Sequence, residues 1–139
     1  MDDIEFAKKM EKYFNQKFSI GDRGMKGWDC LTSMADFFKS CGIEFPNEFK
    51  GWTWENYPER WEKGKGIDIF GEFLHSIGKP VDPNYMLPGD VLVFEAGGAV
   101  SGGIYLGNGH FQGVDRKHGV VRLPLKFFKV ALTDVRRLL

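Results

Sequence analysis

Near Pro83 the apolar residues of this chain change from the spacing of helices to the spacing of strands. Before that point they recur every three or four residues, which predicts three helices, over Asp2–Phe18, Asp29–Gly42 and Ile67–Ile77. After it, five strands are predicted, near Asp90–Glu95, Gly102–Leu106, His110–Val114, Val120–Leu123 and Ala131–Arg137. Helices followed by a meandering sheet predict an α+β domain, in which N-terminal helices pack on a C-terminal antiparallel five-stranded sheet.

Local signals mark the ends of several of these elements. Asp29 is a residue type that caps helix N-termini, and Gly42 is typical of the residue that ends a helix. The pair Asn108-Gly109 suits the tight turn of a β-hairpin, because both residues tolerate positive φ. A second tight turn is predicted over Arg116 to Gly119.

The chain is short and its charges balance. Its 139 residues show no repeat or linker and predict a single domain over residues 1–139. Lys and Arg number 19, as do Asp and Glu, so no overall field favours nucleic acid. No apolar run approaches the length of a membrane span. We therefore expect neither nucleic acid nor a membrane as a partner. The acidic start Met1-Asp2-Asp3 is unlike a signal peptide, so we expect synthesis in the cytoplasm.

The sequence predicts neither a metal nor another cofactor. It holds no CxxC pair, and its three histidines, His75, His110 and His118, lack metal-ligand spacing. The two cysteines, Cys30 and Cys41, fall on one predicted helix, where their separation is about 16 Å. Since a disulfide needs Cα atoms within about 7 Å, these cysteines cannot bond to each other while that helix is intact.

Residues 46–66 form an aromatic and charged segment between the second and third predicted helices. Its large rings are Trp52, Trp54, Tyr57 and Trp61, and its charged residues include Glu55, Glu59, Arg60 and Lys63. Such rings can cap the core of a small domain. They can also stack on sugars, anchor a partner or cover a cleft. We expect core packing for Trp61, and both roles remain open for Trp52 and Trp54.

Cys30 follows the predicted cap Asp29 and lies in the first turn of the second helix. The unpaired N–H groups and the dipole of a helix N-terminus stabilise a thiolate, which is the nucleophilic form of cysteine. The same N–H groups can bind a developing oxyanion. The charge of Asp29 works weakly against thiolate formation. A free cysteine here can equally be a small packing residue, so a reactive and a structural role both remain open.

Four short motifs together resemble the NlpC/P60 family. They are Phe18-Ser19-Ile20-Gly21, Trp28-Asp29-Cys30, Leu87-Pro88-Gly89-Asp90-Val91 and Gly103-Ile104-Tyr105-Leu106-Gly107-Asn108-Gly109. The resemblance runs from Phe18 to the C-terminus, with the aromatic segment as an insertion. It implies a circularly permuted papain-like fold and a cysteine endopeptidase or amidase of bacterial cell-wall peptides. Short members without a signal peptide often belong to bacteriophage tails.

Carried over residue by residue, the resemblance implies an incomplete catalytic site. Cys30 matches the family's nucleophile, but Ser101 stands where the family has its base histidine. A serine hydroxyl cannot act as a general base near neutral pH. The third polar residue would fall at Gly113, and the tyrosine that supplies a hydroxyl matches Phe18. Replacements within the chain are His110 as a base, if the strand register differs, and Gln112 as the group that orients it.

Three functions remain open on this sequence. The first is a component of a bacteriophage or phage-like tail, associated with peptidoglycan penetration or tail-tip assembly and without hydrolytic activity. The alternative is an active cysteine endopeptidase or amidase that cleaves peptidoglycan peptides through Cys30. The third is a module that only binds a small ligand or the cell wall. We expect other tail or virion proteins and peptidoglycan as partners, and the virion as the location. The candidate binding residues are Phe18, Trp28, Trp52 and Trp54.

Overall fold

The computed structural model describes residues 1–62 and 67–139. The last four residues of the predicted aromatic segment 46–66, among them Lys63, lie outside the described residues.

The described helices include two that begin at aspartate caps. Asp2 caps α1 (Asp3–Glu11) by accepting from the Glu5 amide, and Asp29 caps α2 (Cys30–Ser40). The short α3 (Tyr57–Glu62) and α4 (Ile67–Ser76) follow. The prediction that the first helix runs to Phe18 is wrong, because the chain turns after Glu11 and Asn15 takes a φ of 65°. Phe18 instead forms an isolated bridge with Trp28.

In the described part of the chain the C-terminal sheet is antiparallel and has six strands, not the five predicted. Its strands are β3 (Lys79–Pro80), β4 (Val91–Ala96), β5 (Ala99–Gly107), β6 (His110–Asp115), β7 (Gly119–Pro124) and β8 (Leu132–Arg137). Their order across the sheet is β3-β8-β4-β5-β6-β7. The additional strand is β3, which has two residues and pairs with the end of β8. Its pairing is long-range and leaves no periodic signal in the sequence.

The sheet has an apolar cluster on each face. On β4, Val91 and Val93 face the helices and join the main core, while Leu92 and Phe94 join a second cluster. This alternation follows from the period of two along a strand. A 3₁₀ turn, Leu125–Phe127, and the following Phe128 cover the second face. The helices and the sheet thus form the α+β domain that the sequence predicts.

The aromatic segment folds as a small hairpin followed by a helix. The hairpin pairs β1 (Glu48–Phe49) with β2 (Trp52–Thr53), and α3 follows it. The Trp61 ring packs edge-on against Phe70 at 5.1 Å between centroids, and Phe49 packs against Phe73 at 5.6 Å. Core packing of Trp61 is therefore confirmed.

Among the described residues, no helix is both long and apolar enough to cross a membrane.

Candidate functional site

The site is built around the N-terminus of α2. The Asp29 side chain accepts a hydrogen bond from the Thr32 amide at 2.7 Å, and the Thr32 hydroxyl accepts one from the Asp29 amide at 3.1 Å. This reciprocal capping box fixes where the helix begins. Cys30 is consequently the first helical residue, as its position after Asp29 predicts.

Glycine at position 102 brings β5 close to α2. A Cβ atom there would lie 2.9 Å from the terminal methyl of Met34 on α2, so a larger residue would force the Met34 side chain to move. The Gly102 backbone is close enough to act on the Cys30 sulfur through a hydrogen bond. The cysteine therefore lies between the helix N-terminus and the sheet, as in the arrangement that the sequence predicts.

Cys30 borders a cleft of about 140 Å³. Ser101 lines the same cleft and is exposed, so the structure brings together the nucleophile position and the position of the missing base. The other walls are mostly apolar and come from the loop before α2, the aromatic segment, α4 and the sheet. They include Phe18, Ile20, Leu31, Trp61, Phe70 and Val100.

The environment of Cys30 favours its thiol form. Burial raises its pKa to about 12, and the neighbouring Asp29 charge acts in the same direction. The backbone amides of Gly102 and of the first turn of α2 lower the pKa, but burial outweighs them. Because only the thiolate is a strong nucleophile, a raised pKa lowers the fraction of this sulfur that is in its reactive form at neutral pH.

None of the chain's three histidines lines the cleft, and all three are among the described residues. His75, on α4, is held by Glu95 at 2.6 Å and by Asp134 at 2.8 Å, so both ring nitrogens are occupied. His118 lies in the β6–β7 turn, where its Nδ1 is 2.7 Å from Asp115.

His110, the candidate replacement base, is the first residue of β6 and lies beside the end of β5 that is remote from Ser101. Its ring contacts the Asn108 carbonyl in the hairpin turn at 3.0 Å, and it pairs with Gly107 in the sheet. Gly107 lies six positions after Ser101 along β5, which corresponds to about 20 Å. The register thus keeps this imidazole at the hairpin end.

Gln112, the candidate orienting residue, is buried and engaged elsewhere. Its Nε2 donates to the Met10 carbonyl at 3.2 Å, and its Oε1 accepts from Arg122 at 2.9 Å. It joins α1 to β6 and β7 beneath the helices. Gln112, Gly113 and Cys30 all line a second, small cavity of about 20 Å³.

Tyr57 is a site residue that the motif comparison missed. Its hydroxyl donates a hydrogen bond to Asp29 Oδ2, and its ring lines the cleft. Burial and the Asp29 charge raise its pKa above the ordinary range, so the hydroxyl stays protonated and able to donate. The aromatic segment thus contributes a residue with a hydroxyl to the cleft that Phe18 also lines. The sequence indicated Tyr57 only as one of the large rings of the aromatic segment.

The four candidate binding aromatics have different surroundings. Trp28 is 5% exposed and packs edge-on against Tyr13, so its ring belongs to the core. Trp52 and Trp54 are half-buried. The guanidinium of Arg60 lies 5.0 Å from the Trp52 ring, and that of Arg23 lies 4.8 Å from the Trp54 ring. Phe18 lines the cleft. Of these four rings, only Phe18 is in the Cys30 cleft.

Within residues 1–62 and 67–139, no group of three histidine, cysteine, aspartate or glutamate side chains is arranged to hold a metal ion.

Comparison of the sequence with protein families gives one match that spans nearly the whole chain. The family described as "Domain of unknown function (DUF6950)" matches residues 2–133. No curated protein matches the chain in sequence.

Solved structures with a similar fold include NlpC/P60 proteins. An NlpC/P60 family protein from Bacillus cereus is 18% identical with a TM-score of 0.70, and the match covers 100% of this chain but 41% of that protein. The NlpC/p60 domain of the peptidoglycan hydrolase SagA is 17% identical with a TM-score of 0.66, and 99% of each chain is covered. The peptidoglycan hydrolase RipB from Mycobacterium tuberculosis is 18% identical with a TM-score of 0.57, covering 100% of this chain and 69% of RipB. These likenesses confirm the predicted NlpC/P60 fold.

Proposed function

Since the chain belongs to the family described as "Domain of unknown function (DUF6950)" and has the NlpC/P60 fold, we propose that it is a non-hydrolytic peptidoglycan-binding module of a bacteriophage or phage-like tail. The observation that carries the proposal is that no imidazole lies in the cleft at Cys30. All three histidines of the chain are described, and none of them lines this cleft.

Thiol-dependent hydrolysis needs a thiolate and a nearby base that later protonates the leaving group. Neither requirement is met here, because burial and Asp29 raise the Cys30 pKa and no histidine borders the sulfur. Ser101 cannot replace the base, and the Tyr57 hydroxyl is held protonated. The alternative function, an active cysteine endopeptidase, would need an imidazole base that this cleft lacks among the described residues.

The preserved cleft supports binding as its function. It has a mostly apolar lining, with Tyr57 at its wall, around a thiol whose pKa is raised by burial. Two proteins of the same fold, SagA and RipB, are peptidoglycan hydrolases. A peptide of the cell wall is therefore the ligand that we propose for the cleft.

Sedimentation with purified peptidoglycan sacculi tests this function. We expect the wild-type chain and Cys30→Ala to pellet equally with sacculi, and neither to release soluble muropeptides on chromatography. Ser101→Trp places a large ring in the cleft and should abolish pelleting. Lys79→Trp, at an exposed position of the edge strand β3, is the matched control and should pellet normally. Muropeptide release that Cys30→Ala abolishes would establish the hydrolase instead, and a wild-type chain that stays in solution would contradict wall binding.

The tail setting rests on the resemblance of this chain to short NlpC/P60 members of phage tails. Mass spectrometry of purified phage or tail-like particles from a strain that encodes the chain tests it. We expect its peptides to co-purify with the tail proteins at a fixed ratio. Their absence from intact particles would contradict this setting without affecting the proposed wall binding.

A further inference from the structure

We propose that a cavity beneath the aromatic segment is a second binding site, which takes an uncharged, branched aliphatic group. This inference goes beyond the proposed function, because the cavity is distinct from the Cys30 cleft and is tested without peptidoglycan.

The cavity lies between the β1–β2 hairpin and the helices α2, α3 and α4. Its volume is about 60 Å³, and it reaches the surface where Asn47 and Glu48 are exposed. Four of its residues also line the Cys30 cleft, so the two sites share a wall. They are Leu31, Tyr57, Trp61 and Phe70.

Aromatic contacts hold the walls of the cavity in place. Trp54 packs edge-on against Tyr57 at 5.9 Å between centroids. Trp61 and Phe49 make similar contacts with the rings of α4, and all of these residues line the cavity. The walls are therefore defined before any ligand binds, which reduces the entropy lost on binding.

The polar groups at the cavity are engaged within the aromatic segment. The Thr53 hydroxyl accepts a hydrogen bond from the Asn56 amide at 3.4 Å, and Glu48 Oε1 accepts one from the Gly51 amide at 3.1 Å. A water molecule needs at least two polar partners to be held in a cavity. Water here is consequently held weakly, and an apolar group that displaces it gains affinity.

Three cations lie against rings that line the cavity, and this arrangement favours an uncharged ligand. The guanidinium carbons of Arg60 and Arg23 lie 5.0 and 4.8 Å from the Trp52 and Trp54 rings, and Lys50 Nζ lies 5.6 Å from the Phe49 ring. None of the three cations lines the cavity itself. Among the described residues that do, only Glu48 carries a charge. A cation in the cavity would therefore be desolvated and repelled, although aromatic rings alone attract cations.

The size of the cavity specifies the shape of the group. An apolar cavity of about 150 Å³ binds benzene. The smaller volume of about 60 Å³ suits the branched end of an aliphatic side chain, with the rest of the ligand outside.

Titration of the isotope-labelled chain with two probes of the same shape tests the inference. Neohexyl alcohol carries a tert-butyl group, and choline has a quaternary ammonium in its place. We expect the alcohol to shift the indole signals of Trp52, Trp54 and Trp61, which line the cavity, and to leave that of the core residue Trp28 unchanged. Choline should bind at least about tenfold more weakly.

Two variants fill the cavity from different sides. Ile69→Phe enlarges a side chain that lines it, and Asn47→Trp places a ring over its mouth at an exposed position that leaves the core untouched. Each should weaken binding of the alcohol about tenfold. Ile43→Phe is the matched control, because it makes the same change outside the cavity, and it should retain wild-type affinity.

An unchanged Trp28 indole signal establishes that a variant is folded, and Asn47→Trp decides the test if Ile69→Phe does not fold. Choline that binds as tightly as the alcohol, no shift with either probe, or wild-type affinity in a folded filled variant would overturn the inference. These measurements involve no peptidoglycan, so the sacculus assay stays a separate test of wall binding.

Discussion

The Tyr57 hydroxyl donates a hydrogen bond to the carboxylate of Asp29, the residue that caps α2 directly before Cys30. The two residues are 28 positions apart, so the bond joins the aromatic segment to the helix N-terminus. Gly21, whose amide also donates to Asp29, contacts Pro58 in the same segment. The aromatic segment thus forms one wall of the cleft.

Removing the Tyr57 hydroxyl should destabilise the fold. In Tyr57→Phe the ring remains but Asp29 loses a donor in a buried site, so we expect the free energy of unfolding to fall by about 2 kcal/mol. Urea denaturation followed by tryptophan fluorescence measures this change. Tyr85, which is 73% exposed, is the matched control, and Tyr85→Phe should change stability by less than about 0.5 kcal/mol. Equal effects of the two substitutions would mean that the Asp29 bond contributes no stability.

Arg137 should be essential for stability because it pairs with a buried carboxylate. Its Nε and Nη2 each donate to Asp90 at 2.8 Å, and Asp90 is 2% exposed. Arg137→Met leaves that carboxylate with the Leu87 amide, and we expect a loss of about 3 kcal/mol in urea denaturation. Adding Asp90→Asn to Arg137→Met should recover part of the loss, because the unpaired charge is gone. A double variant that is no more stable than Arg137→Met would contradict this explanation.

His75 should make stability depend on pH above 6.5, the ordinary pKa of a histidine. Its hydrogen bonds to Asp134 and Glu95 raise its pKa from the ordinary 6.5, so the folded state holds the proton more tightly than the unfolded chain. The stabilisation is therefore complete below pH 6.5 and is lost as the pH rises through the raised folded value. Arg136 contacts Asp134 at 3.4 Å and Thr133 donates to Glu95, so both carboxylates also have other partners.

Urea midpoints measured from about pH 6 to about pH 9 test this dependence. We expect the wild-type midpoint to fall across this range and His75→Gln to remove most of the fall. His110→Gln, at the exposed hairpin turn, should leave the wild-type profile unchanged. A His75→Gln profile parallel to that of the wild type would show that the contacts of His75 with Glu95 and Asp134 do not cause the pH dependence of stability.

Features fixed by neighbouring residues could be predicted from the sequence. Asp29 caps α2 as expected, which places Cys30 at the first helical position. Asn108 and Gly109 form the hairpin turn with φ values of 52° and 75°. Both depend on short-range hydrogen bonding and backbone sterics, for which residue type is informative.

Features that depend on distant residues could not be predicted. The edge strand β3 exists because Lys79 and Pro80 pair with the end of β8, some 57 residues later. The Tyr57 bond to Asp29 and the placement of Arg116 over Phe18 likewise need the folded chain. Motif comparison indicated which chemical groups of the family are absent from their expected positions, whereas only the structure shows that Tyr57 and Arg116 line the cleft.

The central claim is that Cys30 has no imidazole to accept its proton, and the rate of its alkylation against pH tests this most directly. Iodoacetamide labelling is measured in a Cys41→Ser background, with N-acetylcysteine as the free thiol. With the Cys30 pKa raised to about 12, we predict labelling slower than that of N-acetylcysteine throughout pH 6 to 8, with no plateau in that range. A rate that exceeds the free thiol and levels off below pH 7 would reveal a paired thiolate and contradict the account.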